Sequence, residues 1–245
     1  MAELAPLDRS GEFKIGYAGD TFNTAWYLAQ IAPDIEIDYL PAVGDDRISH
    51  EMRAFMRASG INDTHIREIA GATVGLYLIH LVNGERSFSY WRGQSAAKQL
   101  AVDSHALEQA MKEADLIYFS GITLAILDTH SRENLFSALS RARATGKCVA
   151  FDTNLRPRLW SSADEMKRVI MQAASHSDIV LPSFDDEAEW FGACLQLPRP
   201  ALLYSLKNNL SEDDIALKYN ASIEMVRFRI NTSGVKNQLR YSRRK

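Results

Sequence analysis

Side chains able to recognise an anion or a polyol gather in three stretches of the 245-residue chain. In Asp152-Thr153-Asn154-Leu155-Arg156-Pro157-Arg158-Leu159-Trp160, two guanidiniums flank a proline, with a carboxylate and an amide just upstream. Arginine forks match carboxylate and phosphate oxygens, and Pro157 stiffens the loop that presents them. In Gly19-Asp20-Thr21-Phe22-Asn23-Thr24 a glycine allows close backbone approach, while Asp and Asn side chains can bond vicinal hydroxyls. In Phe88-Ser89-Tyr90-Trp91-Arg92, strict alternation puts Phe88, Tyr90 and Arg92 on one face, which suits a polar ligand better than a core. The plain alternatives are solvated arginines and a solvated edge strand. Six histidines show no metal-ligand spacing, and no G-x-x-x-x-G-K-[ST] phosphate loop is present.

The elements that must position these groups follow from hydrophobic period. Lys147 to Phe151 is a short apolar run after Gly146 and reads as a buried strand. Ala163 to Ala174 reads as a helix capped by Ser161 or Ser162, so the Arg-Pro-Arg loop sits at a strand-to-helix handover, where α/β sheets bind ligands. Met1 to Gly11 reads as irregular and Lys14 to Tyr17 as a short strand. Asp20 or Thr21 would cap a helix reaching Gln30. Ile35 to Ala42 alternates like a strand; Ile48, Met52, Phe55 and Met56 mark the core face of a second helix that Gly60 stops. Thr73 to Val82 and Glu85 to Trp91 read as a hairpin around Asn83-Gly84. Further strands are expected at Asp115 to Ser120 and at Asp178 to Pro182, the latter buried. Helical segments fill Leu124 to Ala144, and a short acidic helix spans Asp185 to Phe191. Strands alternating with helices of this length predict a mostly parallel sheet covered on both faces, with the hairpin as a small second sheet.

Composition supports one sizeable core: 46% of residues are hydrophobic and 24% charged. The formal charge of −3 argues against general affinity for nucleic acid or anionic membrane, although Arg199 to Lys245 carries 10 basic and 4 acidic residues against 18 and 27 in the rest. Two cysteines, Cys148 and Cys194, give no disulfide framework, and with no leader or long apolar span the cytoplasm is the expected compartment.

Taken in order, these stretches resemble the 2-keto-3-deoxygluconate kinases, sugar-acid kinases of the ribokinase-like (PfkB) superfamily. The nine residues from Asp152 to Trp160 carry the likeness most specifically. Gly19 to Ala25 is similar to the family's sugar signature, with Ala18 where a second glycine is usual. Gly75-Leu76-Tyr77, then Tyr90-Trp91-Arg92 with Ala96-Ala97, resemble its β lid, about residues 64–92, and Ser120 to Leu127 is a further match. The resemblance covers residues 1–192 and implies a ribokinase-like α/β domain, ATP and magnesium as cofactors, and a small sugar acid as substrate. By the same likeness, Gly19, Asp20, Thr21, Phe22 and Asn23 would hold the sugar, and Tyr77, Tyr90 and Arg92 would close over it, Arg92 pairing with its carboxylate. Asn154, Leu155 and Arg156 would face the nucleotide phosphates, Arg156 also serving the substrate, with Ser183 beside them. Ser183 and Asp186 stand where many relatives carry an Asn-x-x-Glu motif that organises magnesium, and neither matches it. An acidic helix N-terminus favouring the macrodipole is the alternative for Asp185-Asp186-Glu187, so no metal ligand is assigned.

Two departures matter. The family's Gly-Ala-Gly-Asp segment, which supplies an anion hole and the base for phosphoryl transfer, is not found after Gly192, so no catalytic residue is assigned and impaired turnover is expected. The family's first strand is also expected to be missing ahead of Met1, leaving apolar strand edges and a tendency to homo-oligomerise or self-associate. Residues 193–245 read as a separate, basic, helical tail. Ser211, Ala216, Asn220, Ser222 and Val226 fit helix-turn-helix spacing. With Leu197-Pro198-Arg199-Pro200 ahead, this segment resembles the C-terminal part of a zinc-peptidase family that cleaves phage repressors. The rival functions are a non-catalytic sugar-acid binder and a tail that contacts nucleic acid or protein, the plain alternative being a solvated basic tail.

Overall fold

The computed structural model describes residues 1–9, 11–82, 85–182, 197–233 and 235. Two compact units emerge, one of residues 1–151 with 156–179, the other of residues 152–155 with 180–245.

The first unit opens with β1 (Ala2–Pro6) and β2 (Phe13–Tyr17), followed by α1 (Asp20–Ile31), β3 (Ala42–Gly44), α2 (Arg47–Ala58) and β4 (Arg67–Ile69). The hairpin arms β5 (Leu76–Val82) and β6 (Glu85–Trp91) come next, then a 3-10 turn at Ala96–Gln99, α3 (Ser104–Lys112) and β7 (Leu116–Ser120). The chain continues through α4 (Gly121–Ile126), α5 (Thr129–Ala144), β8 (Cys148–Asp152), α6 (Ala163–Ser175) and β9 (Ile179–Leu181). Strands β2, β1, β5 and β6 form a four-stranded sheet in that order, β1 lying parallel to β5 and antiparallel to β2. β3 and β4 pair in parallel, and β7, β8 and β9 are hydrogen-bonded in that order. Apolar faces of α1, α2 and β3 meet at Phe22, Val43, Met52, Met56, Ile61 and Val74.

Local chemistry explains most boundaries. Asp46 caps α2 by accepting from the Ser49 amide at 2.8 Å, and Gly60, at φ 80°, ends it. On α2, Met52 and Met56 are buried as expected, whereas Phe55 sits at the rim of the core, 37% exposed. Ser162 caps α6 through the Glu165 amide at 3.1 Å. Asp103 and Asp128 do the same for α3 and α5.

Four expectations need correction. Ala2–Pro6, expected to be irregular, is a strand, because pairing with β2 and β5 on its two sides outweighs a weak local signal. From Ile35 to Ala42 only the last residue joins a strand, since Pro41 has no amide to give a ladder; upstream there is a single bridge, Asp38 to Asn62. Gly19, not Asp20 or Thr21, caps α1, without a side-chain bond. β9 is not buried: Ile179 and Leu181 are about half exposed.

In the second unit, α7 (Arg199–Lys207), α8 (Glu212–Tyr219) and α9 (Ile223–Thr232) pack around Leu197, Leu202, Ile215, Val226, Ile230 and Val235. Ser211 and Asp214 form a reciprocal capping box on α8, and Asn220 takes a left-handed conformation at the turn (φ 49°). Ser222 then caps α9 through the Met225 amide. The helix, three-residue turn and helix expected from the spacing are thus formed. Buried Arg229 donates to the Leu197 carbonyl at 3.1 Å and ties α9 to the start of α7. The Asn83-Gly84 turn, the Asp185 to Phe191 helix, Cys194, Ser183 and Asp186 lie outside the described residues. Among the described residues, no helix is long and apolar enough to cross a membrane.

Candidate functional site

The start of α1 is built against the start of β1. The Met1 amino group donates to the Ala18 carbonyl at 2.9 Å, and burial depresses its pKa to about 6. Gly19 has φ 152°, where a side chain would be strained, and its amide donates to Asn23 Oδ1 at 3.3 Å. Asp20 is left at the helix entrance, where its carboxylate accepts from Arg156 Nη2 at 3.3 Å. Two neighbours expected on the ligand side point elsewhere. Thr21 shares a 3.0 Å hydrogen bond with the Tyr39 hydroxyl, and burial raises the pKa of that phenol. The Phe22 ring, 1% exposed, packs against Tyr39 and Phe55 with centroids at 5.5 and 6.1 Å. Its side chain therefore belongs to the core, because helical geometry turns the third residue of α1 inward.

The four-stranded sheet supplies a second row. Parallel register sets Glu3 beside Tyr77, and antiparallel register sets Tyr77 opposite Tyr90. These three therefore project from one face. The Tyr77 hydroxyl donates to Glu3 Oε2. The Tyr77 ring lies 5.9 Å from that of Tyr90 and 6.0 Å from that of Phe88. The Arg92 guanidinium stands 4.3 Å above the centre of the Tyr90 ring, a cation–π geometry. Gly75 allows the close approach of Arg92 and Met1: a Cβ there would meet Arg92 Cβ at 3.1 Å and Met1 Sδ at 3.3 Å. Burial first, then the Glu3 bond and charge, push the Tyr77 phenol far above its ordinary pKa; the Asp20 charge adds to this.

The segment after β8 is contorted. Asn154 (φ 26°) and Arg156 (φ 47°) both take positive φ, a costly conformation for residues with side chains, which tends to concentrate at ligand sites. Within the second unit, the Thr153 amide donates to the Leu181 carbonyl at 3.1 Å, and Leu155 is buried, so its side chain serves packing. In the first unit Arg132, a residue the sequence pattern does not single out, holds the loop's far end. It donates to the Leu124 carbonyl at 2.7 Å and to Glu165 Oε1 at 2.5 Å, and its guanidinium lies 5.0 Å from the Trp160 ring centre. Hydrogen bonds from Ser161 and then Arg132 hold the Glu165 carboxyl at about 2.

Gly19, Asp20, Asn23, Tyr77, Tyr90, Arg92 and Arg156 are thus linked by contacts or by electrostatic coupling. Thr21 and Phe22 turn away, Asn154 and Leu155 belong to the second unit, and Ser183 lies outside the described residues. Neither Glu3 nor Arg132 is marked by the motifs. The alternation of Ala2-Glu3-Leu4 would point to Glu3 if Pro6 did not read as a break. Nothing in the local pattern distinguishes Arg132 from a solvated arginine. Among the described residues, no group of three or more His, Cys, Asp or Glu is arranged to hold a metal ion. An open depression of about 550 Å³ beside Pro33–Ile37, Arg57 and Gly60–Asp63 contains none of the site residues.

Comparison with known proteins identifies the family and the fold. The profile of the pfkB family carbohydrate kinases matches residues 3–220. A 2-dehydro-3-deoxygluconokinase of Dickeya dadantii is 37% identical over 197 residues, covering 78% of this chain and 63% of that protein. Among solved structures, the 2-dehydro-3-deoxygluconokinase of Thermotoga maritima superposes with a TM-score of 0.69 at 23% identity, covering 90% of this chain and 67% of that one. A fructokinase of Xylella fastidiosa with bound ATP superposes with a TM-score of 0.65 at 22% identity, covering 92% and 64%. At those identities the two structures establish the ribokinase-like fold alone. The chain spans about three fifths of the length of the Dickeya protein. The extent of the profile match, together with the ordered sugar-type signature and four-stranded sheet, shows that the chain belongs to the pfkB family of carbohydrate kinases.

Proposed function

We propose that this chain binds a 2-keto-3-deoxy sugar acid at the α1 entrance, and that the reaction its site is shaped for is ATP-dependent 6-phosphorylation of 2-keto-3-deoxygluconate. The observation that carries the reading is the placement of Arg92 over Tyr90, in the same row as Tyr77. A guanidinium at one end suits the carboxylate of the ligand, and oxygen and nitrogen groups at Asp20 and Asn23 suit its hydroxyls. The 37% identity to the 2-dehydro-3-deoxygluconokinase of Dickeya dadantii supports the acid as ligand. Arg156, held at Asp20, lies on the sugar side of the site and can also reach toward the phosphoryl group being transferred. ATP and magnesium are the expected partners of that reaction.

The test is calorimetric. Losing a charged partner for a carboxylate costs about 1.5–3 kcal/mol, so Arg92→Ala should weaken sugar-acid binding by roughly ten- to a hundredfold. Arg156→Ala should weaken it less, since its pair with Asp20 is largely exposed. Equal effects would overturn the assignment of the carboxylate to Arg92.

A second reading, a sugar-acid binder without turnover, is favoured by the lack of a Gly-Ala-Gly-Asp segment anywhere in the 245 residues. One lost anion-hole donor costs on the order of 100- to 1000-fold, and a lost base on the order of 100- to 10,000-fold. A coupled ATPase assay on this polypeptide separates the readings. Turnover of about 1 per second or faster is ordinary for a kinase and would exclude the binder.

A further inference from the structure

Glu3 is not assigned a role by the family signature or by the charge of the ligand, yet the structure ties it to the centre of the site. It lies on β1, in parallel register with Tyr77, and accepts the Tyr77 hydroxyl proton in a hydrogen bond. Tyr77 is 9% exposed and packed between the rings of Phe88 and Tyr90, so its hydroxyl has little freedom to turn away. A phenol has one proton to give, and a glutamate carboxylate at neutral pH can only accept. What remains to Tyr77 is lone-pair density. Asp20, which bears on the same phenol, is a second acceptor. Arg92 stands above the ring of Tyr90, the residue paired with Tyr77; Arg86 and Lys14 share this face by register but lie further along their strands.

We propose that Glu3 is a positioning residue: by holding the single phenolic proton of Tyr77, it presents that oxygen to the ligand as an acceptor alone. The site therefore selects a ligand hydroxyl at Tyr77 and directs carboxylate and keto oxygens toward Arg92. This rests on the sugar-acid reading above and adds to it a polarity that fixes which end of the ligand lies where. A carboxylate or carbonyl at Tyr77 would meet a lone pair backed by a negative charge. Sites that reserve a buried polar group for one hydrogen bond reject analogues unable to make it.

Two measurements on the intact chain test this. In the ligand-free protein, ring-labelled tyrosine NMR, with the Tyr77 signal assigned through Tyr77→Phe, follows the phenol as pH rises. Its midpoint should lie above those of exposed tyrosines and fall in Glu3→Gln. Calorimetry with the sugar acid and its 4-, 5- and 6-deoxy analogues then reads the selectivity. One deoxy analogue should bind the parent chain about ten- to a hundredfold more weakly than the complete ligand. That penalty should shrink to within about threefold in Tyr77→Phe, where the acceptor is gone. In Glu3→Gln the deoxy penalty should persist, since a hydroxyl can accept as well as donate. An analogue with a carbonyl at that position, rejected by the parent, should instead regain affinity, because a glutamine amide can donate to the phenol and free its proton for the ligand. A Tyr77 midpoint unchanged by Glu3→Gln overturns the proposal. So does a Glu3→Gln variant that weakens every analogue by the same factor, which is what loss of structure alone would give. Failure of the sugar acid and all analogues to bind the parent chain overturns both readings. Binding without hydroxyl selectivity overturns this one only.

Discussion

Replacing Arg132 by methionine removes a guanidinium while keeping an unbranched stem of similar reach. Three interactions go with it: the 2.7 Å bond to the Leu124 carbonyl, the 2.5 Å ion pair with Glu165 and the stack on Trp160. A hydrogen bond from a charged donor contributes about 1.5–3 kcal/mol and a partly desolvated cation–π contact about 1 kcal/mol. The ion pair counts for less than a fully buried one, since the Glu165 side chain is 24% exposed. Against these stands the relief of a desolvated charge and the added apolar burial of methionine. The net expectation is a loss of about 3 kcal/mol, or roughly 6–12 °C in Tm for a unit of this size. Urea unfolding followed by tryptophan fluorescence, with Trp160 beside the change, reads it. Glu165→Gln and the double variant complete a cycle, in which a coupling of about 1 kcal/mol or more marks a real pair. A loss below about 0.5 kcal/mol for Arg132→Met, or strict additivity in the cycle, would refute the clamp.

Three further outcomes are expected. Gly44→Ala should prevent normal folding of the first unit, because a Cβ would come within 1.9 Å of the Ala72 carbonyl oxygen, a backbone atom unable to yield; soluble expression and circular dichroism check it. Ile215→Ala should cost about 2–4 kcal/mol and release α7 to α9 together, since Ile215 is fully buried in their shared core; limited proteolysis would show early cleavage between Arg199 and Thr232. Stability should fall in acid through Glu165: its folded pKa of about 2 lies below its ordinary 4.5, so the contribution is full above about 4.5 and is lost as pH drops toward 2. Denaturant midpoints at pH 6 and pH 3 should differ less in Glu165→Gln than in the parent.

What the chain announces, and what it hides, divides along the range of the interaction. Caps and stops are local, and so α2 between Asp46 and Gly60, α6 from Ser162, and α8 from Ser211 are legible in the order of residues alone. The arms of the hairpin and the shared face of Tyr90 and Phe88 follow from period two. Features that depend on partners far along the chain are not legible in this way. β1 exists because β5, more than 70 residues away, pairs with it, and the bond between Glu3 and Tyr77 exists only in that register. Alternation around Ile35 to Ala42 imitates a strand, yet a proline and the absence of a full neighbouring ladder leave it as a bridge. Phe22 holds a site motif's position but an inward direction, which depends on the rotation of α1 against Tyr39 and Phe55.

The contact at Gly44 has a mechanical meaning. The backbone at Ala72 and Thr73 rests directly on Gly44, and the Gly71 amide is tied to Asp45 at 3.0 Å. On the return path, the Ala96 amide is fastened to the Thr73 carbonyl at 2.9 Å. The two chains that enter and leave the β5–β6 hairpin are therefore riveted together at their base. Beyond that rivet come Gly75 on one side and Gly93 on the other, and a Cβ at Gly93 would touch nothing within 4 Å. With its base fixed at that rivet and β5 laddered to β1 from Ala2 to Leu4, the hairpin holds Tyr77 and Tyr90 at a set spacing from Glu3 and α1, so the row is positioned by the sheet and not by the tip of the hairpin.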